Sequence, residues 1–262
     1  MLTNAKDTDT MLDELTRHIT EMYRDVANET VQDLHFHTGR DLAEELGYPS
    51  GRLDALPAPA VASFAGVGHH LELANLVAGE RVLDLGSGSG MDVFAAAAAV
   101  GPHGAVVGVD ITPEQLDKAR RLSRDEHVTF VRAPIDDLPF DDGSFDAVIS
   151  NGVVNLASDK PAVFAEAARV LRPGGRLALA DIVTRRTIAA RTVAQPDLWA
   201  ACIAGAAQRD RYLQDIAAAG LVLQTVRSNR AYRFASERAQ ATADKYGAHT
   251  IELLAIKSEG SR

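Results

Sequence analysis

The chain has 262 residues, 46% of them apolar, which is enough to bury one α/β domain with a cap and too short for two full domains. Acidic residues outnumber basic ones, 36 to 27, for a net charge of −9, and the first fifty residues hold no Lys/Arg cluster, which argues against a nucleic-acid substrate. No apolar run has the length of a membrane span, no basic-then-apolar leader opens the chain, and a single cysteine, Cys202, leaves no internal disulfide or multi-thiolate metal site; a soluble, cytoplasmic protein is expected.

In chain order, residues 9–30 place Met11, Leu12, Leu15, Ile19, Met22 and Val26 at helical spacing with acids on the other faces, predicting an amphipathic helix. A short helix over 41–46 ends at Gly47, and Tyr48-Pro49-Ser50-Gly51 reads as a turn. Residues 1–75 thus form an N-terminal helical lid ahead of a core at 76–262. In the core, strands at 81–85, 105–109, 127–132, 144–149 and 176–183 alternate with helices at 91–100, 113–123 and 160–171, the βαβ order of a parallel sheet. Thr112 is placed to cap a helix that Pro113 opens, Arg172-Pro173-Gly174-Gly175 stops one, and Asp141-Asp142-Gly143 is a turn. A substrate-side insertion near 185–215, helical over 195–207, is followed by a helix at 208–219 and by strands at 221–226 and 250–256 around a helix at 236–246.

The chemistry concentrates at residues 81–90. An apolar strand (Val82, Leu83, Leu85) runs into Gly86, Ser87, Gly88, Ser89 and Gly90 and then into an Ala-rich helix. Glycines let a ligand approach the backbone, and the helix start offers unpaired N–H groups to its oxygens. Asp110 ends the next strand, twenty-four residues beyond Gly86, where doubly wound folds keep the acid that grips a ribose hydroxyl pair. The dehydrogenase fingerprint fails, because its third glycine falls at Met91. Asp84 adds a second carboxylate suited to a cationic ligand.

Val-Leu-Asp-Leu-Gly-Ser-Gly-Ser-Gly, Val-Gly-Val-Asp, Asp-Asp-Leu-Pro-Phe, Phe-Asp-Ala-Val-Ile-Ser-Asn and Leu-Arg-Pro-Gly-Gly-Arg-Leu follow one another over residues 82–177. Together they resemble the class I S-adenosylmethionine-dependent methyltransferases. The resemblance implies an α/β, Rossmann-like fold with a seven-stranded sheet in the order 3-2-1-4-5-7-6, the last strand antiparallel, and helices on both faces. It implies S-adenosylmethionine as cofactor and S-adenosylhomocysteine as product. Asp84, Gly86, Ser87 and Gly88 would form the cofactor loop, Asp110 would hold the ribose, Ile111 would lie beside the adenine, and Ser150 and Asn151 would touch the methionine part. Pro134 departs from the family's usual Gly-Asp-Ala, so the adenine contact falls to Ile135 and Asp136.

Over roughly residues 60–225 the chain is further similar to arsenite methyltransferases, through Phe-Ala-Gly-Val-Gly, Gly-Ser-Gly-Ser-Gly-Met-Asp, Ile-Ser-Asn-Gly-Val-Val-Asn-Leu and Pro-Asp-Leu-Trp-Ala-Ala-Cys. Where that family places thiols before the core and after the fourth strand, this chain has Val67 and Gly152, and only Cys202 remains. Trivalent arsenic is soft and calls for two or three thiolates. The reading is therefore a methyltransferase acting on an O, N or C acceptor of a small molecule. The alternatives are arsenite methylation with Cys202 plus external thiols, and a non-catalytic cofactor-binding protein. His69, His70 and Tyr23 are the candidate catalytic residues, and Trp199 and Cys202 the candidate substrate-pocket residues. His35 and His37 could pair on a metal, but no carboxylate completes a site and none is expected. A monomer or a homodimer fits equally, with neither nucleic acid nor membrane as partner.

Overall fold

The computed structural model describes residue 17 and residues 19–28, 36–189, 192 and 203–259. Ahead of the sheet come helix α1 (19–28) and four short helices: α2 (Gly39–Glu45), α3 (Ser50–Leu53), α4 (Ala58–Ala62) and α5 (Leu71–Ala74). The alternating core follows as β1 (Arg81–Leu85), α6 (Met91–Val100), β2 (Ala105–Asp110), α7 (Pro113–Leu122), β3 (Val128–Arg132), β4 (Phe145–Asn151), α8 (Lys160–Val170) and β5 (Leu171–Val183). It closes with α9 (Arg209–Ala218), β6 (Leu221–Asn229), α10 (Glu237–Tyr246) and β7 (His249–Lys257).

These strands form one seven-stranded sheet in the order β3-β2-β1-β4-β5-β7-β6, as the resemblance implied. β1 to β5 pair in parallel, and β7 runs antiparallel to both β5 and β6. The apolar runs are continuous because both faces are covered. Val82, Val106, Ile149 and Ala178 face a cluster with Val93, Phe94 and Leu116, whereas Leu83, Leu85, Val148 and Leu177 face the cluster of Val163, Phe164 and Tyr212. The first cluster also takes in Leu42, Leu46, Tyr48, Leu53, Val61 and Phe64, so the described pre-sheet helices pack directly on that face.

Several local expectations change. Of the amphipathic helix over 9–30, only residue 17 and residues 19–28 lie within the described residues, with Ile19, Val26 and Ala27 buried. The second helix starts earlier than its apolar pattern suggested, at Gly39. Tyr48-Pro49-Ser50-Gly51 is not a free turn: the Pro49 carbonyl accepts from Arg52 and Leu53 N–H and nucleates α3. Thr112 occupies the N-cap of α7 without a side-chain cap bond. Arg172-Pro173-Gly174-Gly175 ends α8 but belongs to a long β5, whose pairing with β4 is irregular between Phe145 and Ala147. Of the insertion at 185–215, residues 190, 191 and 193–202 lie outside the described residues.

The loop between α4 and α5 is fixed over the carboxyl end of the sheet by two polar side chains, the partly buried Asn151 and the buried Glu252. Asn151, ending β4, accepts from Val67 N–H at 2.8 Å and donates to the Gly68 carbonyl at 3.0 Å. Glu252 of β7 is 2% exposed and accepts from His69 N–H, Asn229 Nδ2 and Arg227 Nε at 2.8, 2.9 and 2.6 Å. A buried carboxylate with three donors is satisfied, and charge-assisted bonds of this length are among the stronger ones.

Candidate cofactor and acceptor site

β1 and β4 lie side by side although β2 and β3 intervene in sequence, so the chain leaves their carboxyl ends in opposite directions and a crevice opens there. The glycine loop enters it. Gly86 has φ +74°, and a Cβ added to it would stand 2.6 Å from Val153 Cβ. Asp110 closes the loop from β2: its Oδ2 accepts from Gly88 N–H at 2.9 Å and its Oδ1 from Thr112 N–H at 2.8 Å. Asp84, Gly86, Ser87, Gly88, Asp110, Ile111, Ile135, Asp136 and Asn151 all line one cavity, with Tyr23 of α1 at its edge.

Two residues at this site, Asp92 and Tyr48, are not among the candidates that the sequence singles out. Asp92, in the first turn of α6, is 6% exposed and accepts from Tyr48 Oη at 2.6 Å and Asn151 Nδ2 at 3.2 Å. Tyr48 was hidden because its partners lie far along the chain. An aspartate buried in an otherwise Ala-rich helix start was the one available hint for Asp92.

The candidate catalytic histidines are placed elsewhere. His70 is wholly buried, neither ring nitrogen has a hydrogen-bond partner among the described residues, and burial pushes its pKa down to about 3. A nitrogen so reluctant to take a proton is a poor general base. The His69 ring lies against Tyr48, centroids 4.2 Å apart, and its pKa is also lowered by burial. Neither histidine is among the residues lining the cavity. His37 is exposed, and His35, Trp199 and Cys202 fall outside the described residues. Among the described residues no three His, Cys, Asp or Glu side chains gather as a metal site.

The electrostatics specify what the cavity accepts. Asp84, Asp92 and Asp110 line it, with Asp136 beyond them, and among the described residues no lysine or arginine does. Asp84 receives no hydrogen bond from a described residue; burial, then Asp92 and Asp110, drive its pKa well up. Burial likewise raises Asp92 and Asp110 against the bonds each accepts. Ser87 Oγ is buried without a hydrogen-bond partner among the described residues. Three crowded carboxylates and an orphaned hydroxyl fit a ligand with a cationic end and hydroxyl donors, which S-adenosylmethionine is.

A pH dependence follows. A cation in the cavity favours ionised Asp84, so its pKa falls on binding, protons are released, and affinity climbs as pH rises toward the raised value of the free protein. In the free protein the sign is opposite: the unfolded aspartate ionises first, so stability falls as pH climbs through the same window. Calorimetry with S-adenosylmethionine from about pH 5 to about pH 8, in buffers of different ionisation heat, should show both tighter binding and proton release. Flat affinity with no proton release would remove Asp84 from the cation site.

A doubly wound parallel sheet with a glycine loop at its switch point, an acid ending β2 and a carboxylate-lined cavity defines a class I nucleotide-cofactor fold. The family described as Methyltransferase domain matches residues 76–220. The chain belongs to this family, the class I S-adenosylmethionine-dependent methyltransferases, and is related to the arsenite methyltransferases. It is 45% identical over 175 residues to the arsenite methyltransferase of Halobacterium salinarum, covering 64% of this chain and 44% of that protein. It is 47% identical over 110 residues to the demethylmenaquinone methyltransferase of Clavibacter sepedonicus, covering 41% of this chain and 43% of that protein. The chain thus spans less than half the length of these curated relatives. The crystal structure of an arsenic (III) S-adenosylmethionine methyltransferase from Chlamydomonas reinhardtii has a TM-score of 0.67 at 29% identity, over 80% of this chain and 72% of that one. A geranyl diphosphate methyltransferase in complex with GPP and sinefungin shares the fold, with a TM-score of 0.63 at 21% identity over 94% of this chain and 99% of its own. Among the described residues no helix is long and apolar enough to cross a membrane.

Proposed function

We propose that the protein methylates an O, N or C atom of a small organic molecule and is not an arsenite methyltransferase. One observation carries the second half. A Cβ added to Gly152 would stand 3.3 Å from Val67 Cγ1, so the two positions matched by resemblance to thiols of the arsenite family abut, with Gly152 in the cavity lining. The place for a two-thiolate clamp is kept, and its ligands are a buried valine and a glycine. Gly152 has φ +77°, a backbone that a side chain adopts only at a cost, so this chain's loop has also settled into the residue it now holds. A lone Cys202 thiolate does not supply the soft ligand set that arsenic needs.

When bound, S-adenosylmethionine supplies an electrophilic methyl group on a sulfonium. The chain's own contribution is positioning and exclusion of water. Asp84 and Asp92 would hold the cationic end, with Asn151 and Tyr48 fixing Asp92; Asp110 would take the ribose hydroxyls. Ile19, Phe64, Val153 and Leu156 give the remainder of the cavity an apolar wall. Tyr23 is the one tyrosine among the described lining residues, which makes it the first residue to substitute for a role in proton removal. With His69 and His70 outside the lining, an acceptor that is already nucleophilic at neutral pH suits the cavity best.

The test is direct. Enzyme, S-adenosylmethionine, arsenite and excess thiol should yield no methylated arsenicals by mass spectrometry at a rate comparable with that on an organic acceptor, and Cys202→Ser should leave the organic activity largely intact. Robust arsenite turnover that Cys202→Ser abolishes would restore arsenite as substrate. Cofactor binding with no S-adenosylhomocysteine released from any member of an acceptor panel would favour a binding protein.

A further inference from the structure

Helix α1 contributes Ile19 and Tyr23 to the cavity, so it covers part of the cofactor site and must respond to entry and departure there. One side chain joins this helix to the loop beneath it. Gln115, in the first turn of α7, is 2% exposed. Its Nε2 donates to the Tyr23 carbonyl of α1 at 2.8 Å, and its Oε1 accepts from Ser89 Oγ of the glycine loop at 2.5 Å. The direction of this chain is fixed by chemistry, because a carbonyl only accepts. The Tyr23 oxygen therefore faces the amide nitrogen, which leaves the amide oxygen to the Ser89 hydroxyl. An amide has a donor and an acceptor at one end and can serve both partners at once.

Gln115 is also tied to the cofactor site along its own backbone. Asp110 accepts from Gly88 N–H of the loop and from Thr112 N–H at the N-cap of α7, so the carboxylate expected to bind ribose positions the turn that carries Gln115. One turn further on, Lys118 donates to the Ala27 carbonyl of α1 at 3.1 Å and to Ser63 Oγ at 2.8 Å. That second contact holds α1 against α7 without touching the loop. Lys118 reaches a lining residue too, Ser63, but of the two only Gln115 joins the helix to the glycine loop.

We infer that Gln115 is a positioning residue that couples occupancy of the glycine loop to closure of α1 over the cofactor, a reading that rests on the cofactor assignment above. A ligand that fixes Ser89 and Asp110 fixes Gln115 from two sides, and Gln115 then holds the Tyr23 turn in place. Loss of the ligand frees Ser89 to rotate, and the donor to Tyr23 is no longer held.

Hydrogen exchange read by mass spectrometry, with and without S-adenosylhomocysteine, tests this on the full chain. In the wild type the ligand should protect residues 19–28 together with residues 86–90. Gln115→Met, similar in length and without donor or acceptor, should keep ligand protection of the loop, lose that of the helix, and raise the Kd about tenfold. Gln115→Glu keeps an acceptor for Ser89 and, when ionised, has no donor for Tyr23; it should lose helix protection with a smaller change at the loop. Thermal melts show that each variant is folded, and if the Met variant is not, the Glu variant decides. Helix protection unchanged in the folded variants overturns the inference, as does a wild type that binds the ligand without protecting 19–28. A wild type that does not bind it at all overturns the cofactor assignment and this inference together.

Discussion

Asp110→Ala should weaken S-adenosylmethionine binding by about 2–4 kcal/mol, roughly thirty- to a thousandfold in Kd, because a carboxylate accepting two ribose hydroxyls makes charge-assisted bonds that a methyl group cannot replace. The structure adds a second source of loss. The same carboxylate accepts from Gly88 and Thr112 N–H, so its removal unties the glycine loop from the start of α7. Asp110→Asn, which keeps one acceptor oxygen, should fall between the two. Calorimetry with S-adenosylhomocysteine reads the effect, and an unchanged Kd for the alanine variant would take Asp110 out of the site.

Gly86→Val should abolish cofactor binding and lower the melting temperature, for two separable reasons. At φ +74° a residue with a Cβ meets a backbone cost of about 1–2 kcal/mol. That Cβ would stand 2.6 Å from Val153 Cβ, and forcing such a contact adds about 1–3 kcal/mol. The two parts come apart in a comparison with alanine. Gly86→Ala combined with Val153→Gly, which removes the Val153 Cβ with both its methyls, relieves the collision but not the dihedral, so it should recover part of the binding lost in Gly86→Ala alone. Normal binding by Gly86→Val would mean that the loop does not approach the cofactor.

The sequence determined what depends on neighbours along the chain. An apolar run followed by Gly86 to Gly90 and an Ala-rich segment has one local solution, strand, loop and helix, and Asp110 at the end of the next strand falls beside that loop in any right-handed βαβ unit. Hence the cofactor candidates from Asp84 to Asn151 line one cavity, except Ser150, which is buried with its hydroxyl donating to the Leu85 carbonyl. The seven-strand order came from resemblance; period-two and helical patterns do not encode which strand lies beside which. Only the tertiary structure decided the contacts that the sheet order creates. Tyr48 meets Asp92, Gln115 meets Tyr23 and His69 N–H meets Glu252 across 44, 92 and 183 residues of chain, and none of these pairs leaves a local pattern. The same holds for the histidines. A His-His pair in a pre-core loop reads as available chemistry until packing buries one ring and lays the other against Tyr48. Val67 and Gly152 were legible one by one as missing thiols, but that they abut depends on Asn151 holding both the Val67 N–H and the Gly68 carbonyl at the end of β4. Side-chain identity is local, whereas proximity between distant segments is set by how the strands are ordered and which loops the buried polar groups hold down.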